Sequence, residues 1–247
     1  MKTKRSAAPY VSGQARQHAA AAKRLRGFYD HLVREYGPLQ WWPAKTPLEV
    51  VIGAYLTQNT AWTSVEKSIA NLEAASALTL EGLRSISEDD LRTLIRPSGY
   101  MIRKAAAVKA FIAFLDESYG GSMERLAVAP METLRQQLLA LPGVGPETAD
   151  AILLYALRQP AMVVDEYLRR VVTRHGLLPA KARYNEIQAL AITAFRGEEA
   201  SSQLKHYNEV HAVIVEVGKR HCRGTPRCEG CPLASDLKRI GGTPLIS

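Results

Sequence analysis

A glycine-rich turn is the most specific feature of the sequence that could serve a chemical purpose. It joins two apolar segments and reads Leu141-Pro142-Gly143-Val144-Gly145-Pro146-Glu147-Thr148. Glycines on both sides of one apolar residue allow a tight turn whose amides face outward, and Pro146 suits the first turn of the next helix. Amides at a helix N-terminus bind phosphate whatever the base sequence. The turn therefore predicts a helical hairpin that binds DNA through Gly143, Val144, Gly145 and Thr148, the alternative being an ordinary αα-hairpin.

A single aspartate, Asp165, lies fifteen residues beyond Asp150 at the end of this motif. It follows Val163-Val164 and precedes an amphipathic segment that ends near Gly176, so it is a good N-cap. A capping carboxylate is held rigid with its charge outward. A carboxylate held in this way is a candidate for a role in chemistry, and the alternative is that it only caps its helix.

The tryptophans all precede the hairpin, at Trp41, Trp42 and Trp62. Adjacent Trp41 and Trp42 cannot both face one core on a regular element, so at least one of them is expected to line a cleft or the surface. Packing in the core is the alternative for any single tryptophan. Taken together, the three predict a stacking platform for a base.

Three cysteines, Cys222, Cys228 and Cys231, lie within ten residues near the C-terminus. An odd, clustered set argues against a disulfide scaffold and favours metal or cluster ligation. A zinc site with His221 is conceivable, but neighbouring His221 and Cys222 would chelate one ion awkwardly. A loop with reduced thiols remains the alternative.

Basic charge is concentrated at both ends of the chain, whose net charge is +8. Residues 1–29 contain seven basic and no acidic residues, and residues 219–239 contain six basic and two acidic ones. Such a distribution favours a face built from both termini that meets a polyanion such as DNA. A solubilising tail is one alternative, and an organelle transit peptide is a less favoured one.

Helical spacing of apolar residues dominates the sequence, and no stretch alternates convincingly with period two. We therefore expect an all-α fold of two helical lobes with a cleft between them. The predicted divisions are a disordered basic tail (1–20), a lobe from the terminal parts (21–44 with 156–237), a central lobe with the hairpin (45–155) and a second tail (238–247). No apolar run approaches the roughly 20 residues of a membrane helix, so a cytoplasmic protein, nucleoid-associated if bacterial, is expected.

From about Tyr29 to Leu237, the hairpin and the following Val-Val-Asp resemble the helix-hairpin-helix DNA glycosylases of the endonuclease III superfamily. The resemblance implies that Asp165 is the catalytic residue. Cleavage of a glycosidic bond builds positive charge on the sugar, and a fixed carboxylate stabilises that charge or activates water. Bifunctional members carry a lysine two residues after the second hairpin glycine, which attacks the sugar to form a Schiff base. This chain has Glu147 there, so the resemblance implies no lyase activity. Lys219 is a distant second candidate for an active-site lysine, and phosphate contact is its simpler interpretation.

The Trp-Trp-Pro and Thr-Gln-Asn-Thr segments are similar to the 3-methyladenine glycosylase branch of this superfamily. The resemblance implies that Gln58 fills the gap left by a flipped base, although Gln58 could instead cap a helix end. It also implies that the loop of Tyr100 and Met101, followed by Arg103 and Lys104, wedges the duplex and grips phosphate.

Members of the superfamily often end with four cysteines that bind a 4Fe–4S cluster, and here Leu237 stands at the fourth position. The chemistry needs no cofactor, and a cluster is expected only as a structural element.

Three functions follow from these patterns. The first is a monomeric, monofunctional glycosylase that releases an alkylated purine from double-stranded DNA, because a cationic base leaves easily and stacks well on aromatic faces. The second is a glycosylase for oxidised pyrimidines or mismatches. The third is a non-catalytic DNA-binding module in which Asp165 caps its helix.

Overall fold

The computed structural model describes residues 13–37, 39 and 44–239. Helices account for most of this part of the chain, and an isolated bridge between Cys222 and Pro226 is the nearest approach to a sheet within it. The predicted all-α fold is confirmed. None of the described helices is long and apolar enough to cross a membrane.

The described residues form thirteen α-helices with two short helical turns of other types. In chain order the α-helices are α1 (Gly13–Tyr36), α2 (Pro47–Leu56), α3 (Trp62–Ala74), α4 (Leu80–Ser85), α5 (Glu88–Leu94), α6 (Met101–Tyr119), α7 (Met123–Ala127), α8 (Met131–Leu139), α9 (Pro146–Ala151), α10 (Glu166–Arg174), α11 (Tyr184–Ala194), α12 (Ala200–Arg220) and α13 (Ala234–Arg239). A 3₁₀ turn covers Arg96–Ser98, and a π-helical turn covers Ile152–Ala156 directly after α9.

These helices divide into two compact units. The central unit contains Leu39–Asp165 and Glu199–Ala212, and the terminal unit contains Glu166–Glu198 with the described residues before 38 and after 212. These units differ from the predicted lobes in three places. The described residues 39 and 44, residues 156–165 and residues 199–212 all belong to the central unit. The long helix α12 thus contributes residues 200–212 to that unit, and no feature of its sequence marks the division.

The central unit is built around α2 and α6. Val51, Ile52 and Phe111 are fully buried there, and the ring of Phe111 packs at a tilt on that of Tyr55, with 6.2 Å between the centroids. Helix α2 begins where its sequence demands, since the hydroxyl of Thr46 accepts from the amide of Glu49 and proline follows the cap. This core is the rigid body that carries the hairpin.

In the terminal unit, helix α1 packs against α11. Leu25 and Leu32 are buried, and the rings of Tyr29 and Phe195 meet edge to face at 5.2 Å between centroids. The expectation that residues 13–20 are disordered was wrong, because α1 begins at Gly13 and His18 bonds the hydroxyl of Thr193 at 3.2 Å. Alanine-rich sequence continues a helix at low entropic cost once one face is packed.

Both ends of the chain carry predicted tails that lie partly beyond the structure. Residues 1–12 lie outside the described residues, as do residues 240–247. Residues 238–239, assigned to the second tail, are instead the last residues of α13.

Candidate active site

The hairpin follows α8 and leads into α9. Gly143 adopts a φ of +77°, a conformation that favours glycine, and a Cβ there would lie 3.2 Å from that of Ala107. Gly145 then caps α9 and Pro146 opens it. A buried ion pair joins the two helices, because Arg135 binds both oxygens of Asp150 at 2.6 and 3.0 Å. This ion pair fixes the two helices of the hairpin relative to each other.

Only part of the hairpin faces solvent. Gly143, Gly145 and Glu147 are exposed, whereas Val144 and Thr148 are buried. The hydroxyl of Thr148 accepts a hydrogen bond from Gln58 within the protein, and the prediction that Thr148 binds DNA stays a prediction. The exposed backbone of the two glycines is what remains available to a phosphate.

Gln58 ties the loop after α2 to this hairpin. Its amide nitrogen donates to the carbonyl of Gly143 and to the hydroxyl of Thr148, both at 2.9 Å. The side chain is half-buried in this arrangement. Filling the gap left by a base would require Gln58 to exchange both hydrogen bonds, so its predicted role stays a prediction.

The predicted wedge loop presents two side chains to solvent. Tyr100 is 61% exposed at a φ of +47°, and Ile102, in the first turn of α6, is 64% exposed beside the exposed Arg103. A left-handed tyrosine costs free energy that the surrounding structure must offset, and such strain clusters at functional sites. Met101, by contrast, packs partly against the core. Ile102 was missed by sequence reasoning, which had no means to tell which apolar residue at this helix start turns outward.

Lys104 does not grip phosphate, and the prediction that it does was wrong. It is buried, and its amine donates to the carbonyls of Leu56 and Ser98 at 2.7 and 2.8 Å and to the hydroxyl of Thr60 at 2.7 Å. Burial lowers the pKa of Lys104 to about 8. The lysine thus joins the loop that carries Gln58 to the loop that carries Tyr100.

The three tryptophans cannot be assessed as one platform. Trp41 and Trp42 lie outside the described residues. Trp62 is half-buried at the start of α3, packs against the central core and donates from Nε1 to Glu66 at 3.1 Å. A groove of about 530 Å³ is lined by Leu39 and Ala44, the described residues nearest Trp41 and Trp42 on either side, and by Tyr155 and Arg158.

Asp165 lies directly before α10, in the position of an N-cap. It is buried, with 8% of its surface exposed, at the end of an apolar segment without regular secondary structure that includes Val163 and Val164. The Oδ2 atom of Asp165 is 3.6 Å from Nε2 of His211 on α12. Sequence reasoning identified the aspartate but missed this histidine.

The opposite edge of the His211 ring contacts Tyr155. The phenol oxygen of Tyr155 lies 2.6 Å from Nδ1 of His211, and the two rings are 5.6 Å apart at an interplanar angle of 38°. Burial, assisted by the negative charge of Asp165, raises the pKa of Tyr155 well above its usual range. Tyr155, His211 and Asp165 therefore form a row of three polar groups within the central unit.

The two residues that bear on lyase chemistry are both exposed. Glu147 is in the first turn of α9, where the superfamily's lyases carry lysine, and Lys219 is in the last turn of α12. A carboxylate cannot form an imine, so Glu147 offers no route to a Schiff base. The backbone carbonyl of Lys219 accepts from Arg223 at 2.5 Å.

The cysteine loop does not fit a 4Fe–4S cluster. The cavity that Cys222, Cys228 and Cys231 help to line has a volume of about 20 Å³, which is room for one water. A guanidinium already occupies the loop, since Arg174 donates to Sγ of Cys222 at 3.2 Å. Burial raises the pKa of the Cys228 and Cys231 thiols. No group of three or more ligating side chains suited to a metal ion occurs among the described residues.

Arg174 stabilises this loop without a metal. It donates to the carbonyls of Arg223 and Gly224, each at 2.6 Å, in addition to Cys222. Its Nε atom finds no partner among the described residues, and one water in the adjoining cavity would accept from it. Leu237, at the position of a fourth cysteine, is buried and contributes an apolar side chain to the same cavity.

Comparison with known proteins finds consistent relatives. Residues 52–195 match the family described as HhH-GPD superfamily base excision DNA repair protein. A protein of Methanocaldococcus jannaschii named as a DNA repair glycosylase is 42% identical over 207 residues, which are 83% of this chain and 91% of that protein. Endonuclease III of Thermotoga maritima is 30% identical over 186 residues, 75% of this chain and 79% of the enzyme.

A solved structure extends the likeness to three dimensions. The H. pylori 3-methyladenine DNA glycosylase MagIII, in a structure with 1,N6-ethenoadenine bound, is 29% identical to this chain and superimposes with a TM-score of 0.69. The match covers 82% of this chain and 97% of that one.

Proposed function

The chain belongs to the HhH-GPD superfamily of base excision DNA repair proteins, and from this premise we propose that it is a monofunctional DNA N-glycosylase for alkylated purines such as 3-methyladenine. The proposal depends on two carboxylates: Asp165 is buried directly before α10, and Glu147 stands at the position of the lyase lysine. Asp165 can promote hydrolysis of the glycosidic bond, whereas Glu147 leaves no amine at its position for strand cleavage.

The reaction is a hydrolysis at C1′ of the flipped nucleotide. As the bond from C1′ to the base nitrogen breaks, its electron pair leaves with the base and positive charge develops on the sugar. The carboxylate of Asp165 stabilises that charge, more strongly because its surroundings are largely shielded from water. Water then adds to C1′ and gives up its proton, so that the products are a free base and an intact abasic strand.

An alkylated purine suits the groups that surround this chemistry. Alkylation at a ring nitrogen leaves the base cationic, so it departs without protonation and is attracted to aromatic faces. The groove beside Tyr155 is lined by the apolar side chains of Leu39 and Ala44, and the sequence between these two residues contains Trp41 and Trp42. The likeness to an enzyme named for 3-methyladenine supports the same class of substrate.

Double-stranded DNA with a damaged base is the proposed partner, bound by a monomer. The exposed glycines of the hairpin provide amides for a phosphate, and Arg103 provides charge beside Tyr100 and Ile102. Apolar side chains pushed between base steps unstack the duplex, which favours extrusion of a base. Tyr100 and Ile102 are the exposed candidates for that wedge.

A screen with duplexes that each contain one defined lesion tests the proposal. We expect free base and an uncleaved abasic strand from 3-methyladenine or 1,N6-ethenoadenine duplexes. The matched control is Asp165→Asn, which keeps the size and capping ability of the side chain and removes its charge. It should bind DNA normally and lose excision by about 10²–10³-fold or more.

Two other outcomes would replace the proposal. Release from oxidised pyrimidines or mismatches alone would make the protein a glycosylase of another specificity, a reading that its 30% identity to an endonuclease III favours. Binding of every duplex with no release by the wild-type protein would make it a DNA-binding module. Full excision by Asp165→Asn would reduce the aspartate to a helix cap.

A further inference from the structure

We propose that His211 is a positioning residue that holds the carboxylate of Asp165 in its reactive orientation, and that Tyr155 holds His211. This inference rests on the proposed role of Asp165 and adds to it two residues that no sequence motif identifies. The row comes from three parts of the central unit: the π-helical turn after α9, the segment before α10 and the first half of α12.

The carboxylate of Asp165 and the imidazole of His211 are buried, so their polar contacts are costly to leave unmade. The side chains of His211 and Asp165 are each only 9% exposed. Burying a polar group costs free energy unless it finds a partner, so a core position would ordinarily be filled by an apolar residue. Tyr155 moreover lies in a π-helical turn, a local distortion that is frequent at functional sites.

The positions of the protons determine which group donates to which along the row. Because burial raises the pKa of Tyr155 well above its usual range, the phenol keeps its proton and can donate it to Nδ1 of His211, 2.6 Å away. That hydrogen bond fixes the tautomer with its proton on Nε2, the atom that faces Oδ2 of Asp165. His211 therefore presents an N–H to the carboxylate and leaves its negative charge in place.

The gap of 3.6 Å between Nε2 and Oδ2 is longer than a hydrogen bond. Hydrogen bonds of catalytic groups are often long in proteins without substrate and shorten when the reacting complex forms. A small rotation of the carboxylate about its Cβ–Cγ bond would close this gap. The contact would then help to hold the carboxylate towards the sugar.

Single-turnover excision by variants at position 211 tests this inference. In His211→Gln the side-chain amide can take the place of Nε2–H, whereas in His211→Asn it overlays the Nδ1 side of the ring and cannot reach Asp165. We expect His211→Gln to keep most of the excision rate and His211→Asn to lose about 10–100-fold, a loss typical of a misplaced catalytic group. The affinity for lesion DNA should stay within about twofold in both.

Tyr155→Phe provides an independent variant, since it removes only the hydroxyl. It should lower the rate several-fold without changing affinity, because Nδ1 of His211 loses the donor that fixes its tautomer. His31→Ala, a change on α1, is the matched control and should leave excision unchanged. Thermal melting of each variant shows whether it is folded, and the comparison is made among those that are.

The inference is overturned if His211→Asn excises as fast as the wild type, or if His211→Gln and His211→Asn lose the same fraction of the excision rate. It is also overturned if the variants lose only affinity for DNA. These outcomes are separate from a failure of the proposed function. Inactive Asp165→Asn beside fully active His211→Asn refutes only the positioning role. Fully active Asp165→Asn instead refutes the catalytic role of the aspartate on which the inference rests.

Discussion

Gly218 of α12 lies directly against the ring of Tyr167, so a Cβ atom at position 218 would be 2.2 Å from Cδ1 and 2.7 Å from Cβ of the tyrosine. Tyr167 is in the first turn of α10, two residues after Asp165. The Cβ of Tyr167 belongs to the start of its side chain, so the clash could be relieved only by moving α10. Close approach of these helices thus requires glycine.

We therefore predict that Gly218→Ala destabilises the protein by about 1–3 kcal/mol, as overpacked sites do, and slows excision. Urea denaturation measures the first effect, and single-turnover kinetics measure the second. Gly27→Ala is the matched control, because a Cβ at Gly27 in α1 meets nothing within 4 Å. Helix propensity alone should make that variant more stable by up to about 1 kcal/mol. Equal stability of the two variants would contradict the packing argument.

Lys104 makes stability depend on pH in the alkaline range. Its pKa is lowered to about 8 in the folded protein from 10.5 when exposed, so between these values the unfolded chain binds more protons. The free energy of unfolding should rise from pH 8 to pH 10.5 on account of this group. Lys104→Met lacks this titrating group, so the free energy of unfolding of the wild type should rise relative to that of the variant from pH 8 to pH 10.5.

Urea denaturation at several pH values measures the difference between wild type and Lys104→Met. Lys67→Met, a change at an exposed lysine of α3, is the control and should follow the wild-type profile. At pH 7 the loss of the amine leaves two carbonyls and a hydroxyl without their donor, so Lys104→Met should also be less stable by about 1–3 kcal/mol. A pH-independent difference would show that Lys104 is not perturbed.

The sequence predicts some of these features well because they are local. The glycine turn and the position of Asp165 directly before a helix each depend on a few neighbouring residues, and the all-α fold depends on periodicity along single helices. Which way a side chain faces depends on packing instead. Thr148 and Lys104 were predicted to contact DNA but are buried, and His211 is 56 residues from Tyr155 along the chain. No spacing rule brings the latter two together.

Stability of the C-terminal loop should depend on Arg174 and not on iron. We expect the purified protein to contain little iron, and treatment with a chelator should leave its melting temperature unchanged. Arg174→Met should lower stability by about 1.5–3 kcal/mol, because the guanidinium bonds of Cys222, Arg223 and Gly224 are lost. Arg227→Met, a change at an exposed residue of the same loop, is the control. Stoichiometric iron, or melting at lower temperature after chelation, would contradict this account.

Two N-terminal deletions should distinguish the contribution of basic charge to DNA binding from the contribution of α1 to stability. Removal of residues 1–12 takes away Lys2, Lys4 and Arg5, so the slope of log affinity against log salt should fall by at most about 3, with no change in lesion preference. Removal of residues 1–20 also deletes the first turns of α1 and the bond from His18 to Thr193, so it should lower the melting temperature. An unchanged salt slope in the shorter deletion would show that this segment does not meet DNA.

The last prediction concerns the absence of a lyase step. An imine requires an amine that can reach C1′, and Glu147 cannot supply one, so borohydride should trap no covalent adduct of the wild-type protein with lesion DNA. Glu147→Lys places an exposed amine in the first turn of α9, where the superfamily's lyases have theirs, and it should yield a trapped adduct.

Glu147→Gln is the matched control for the loss of the acidic charge, and it should form no adduct because its amide is not nucleophilic. Denaturing electrophoresis separates the adduct from free DNA. If the wild-type protein is trapped in good yield, Lys219→Ala decides whether that lysine is the source. Trapping that disappears in this variant would make the protein a bifunctional enzyme with its amine on α12, because only a lysine bonded to C1′ survives reduction as a stable link.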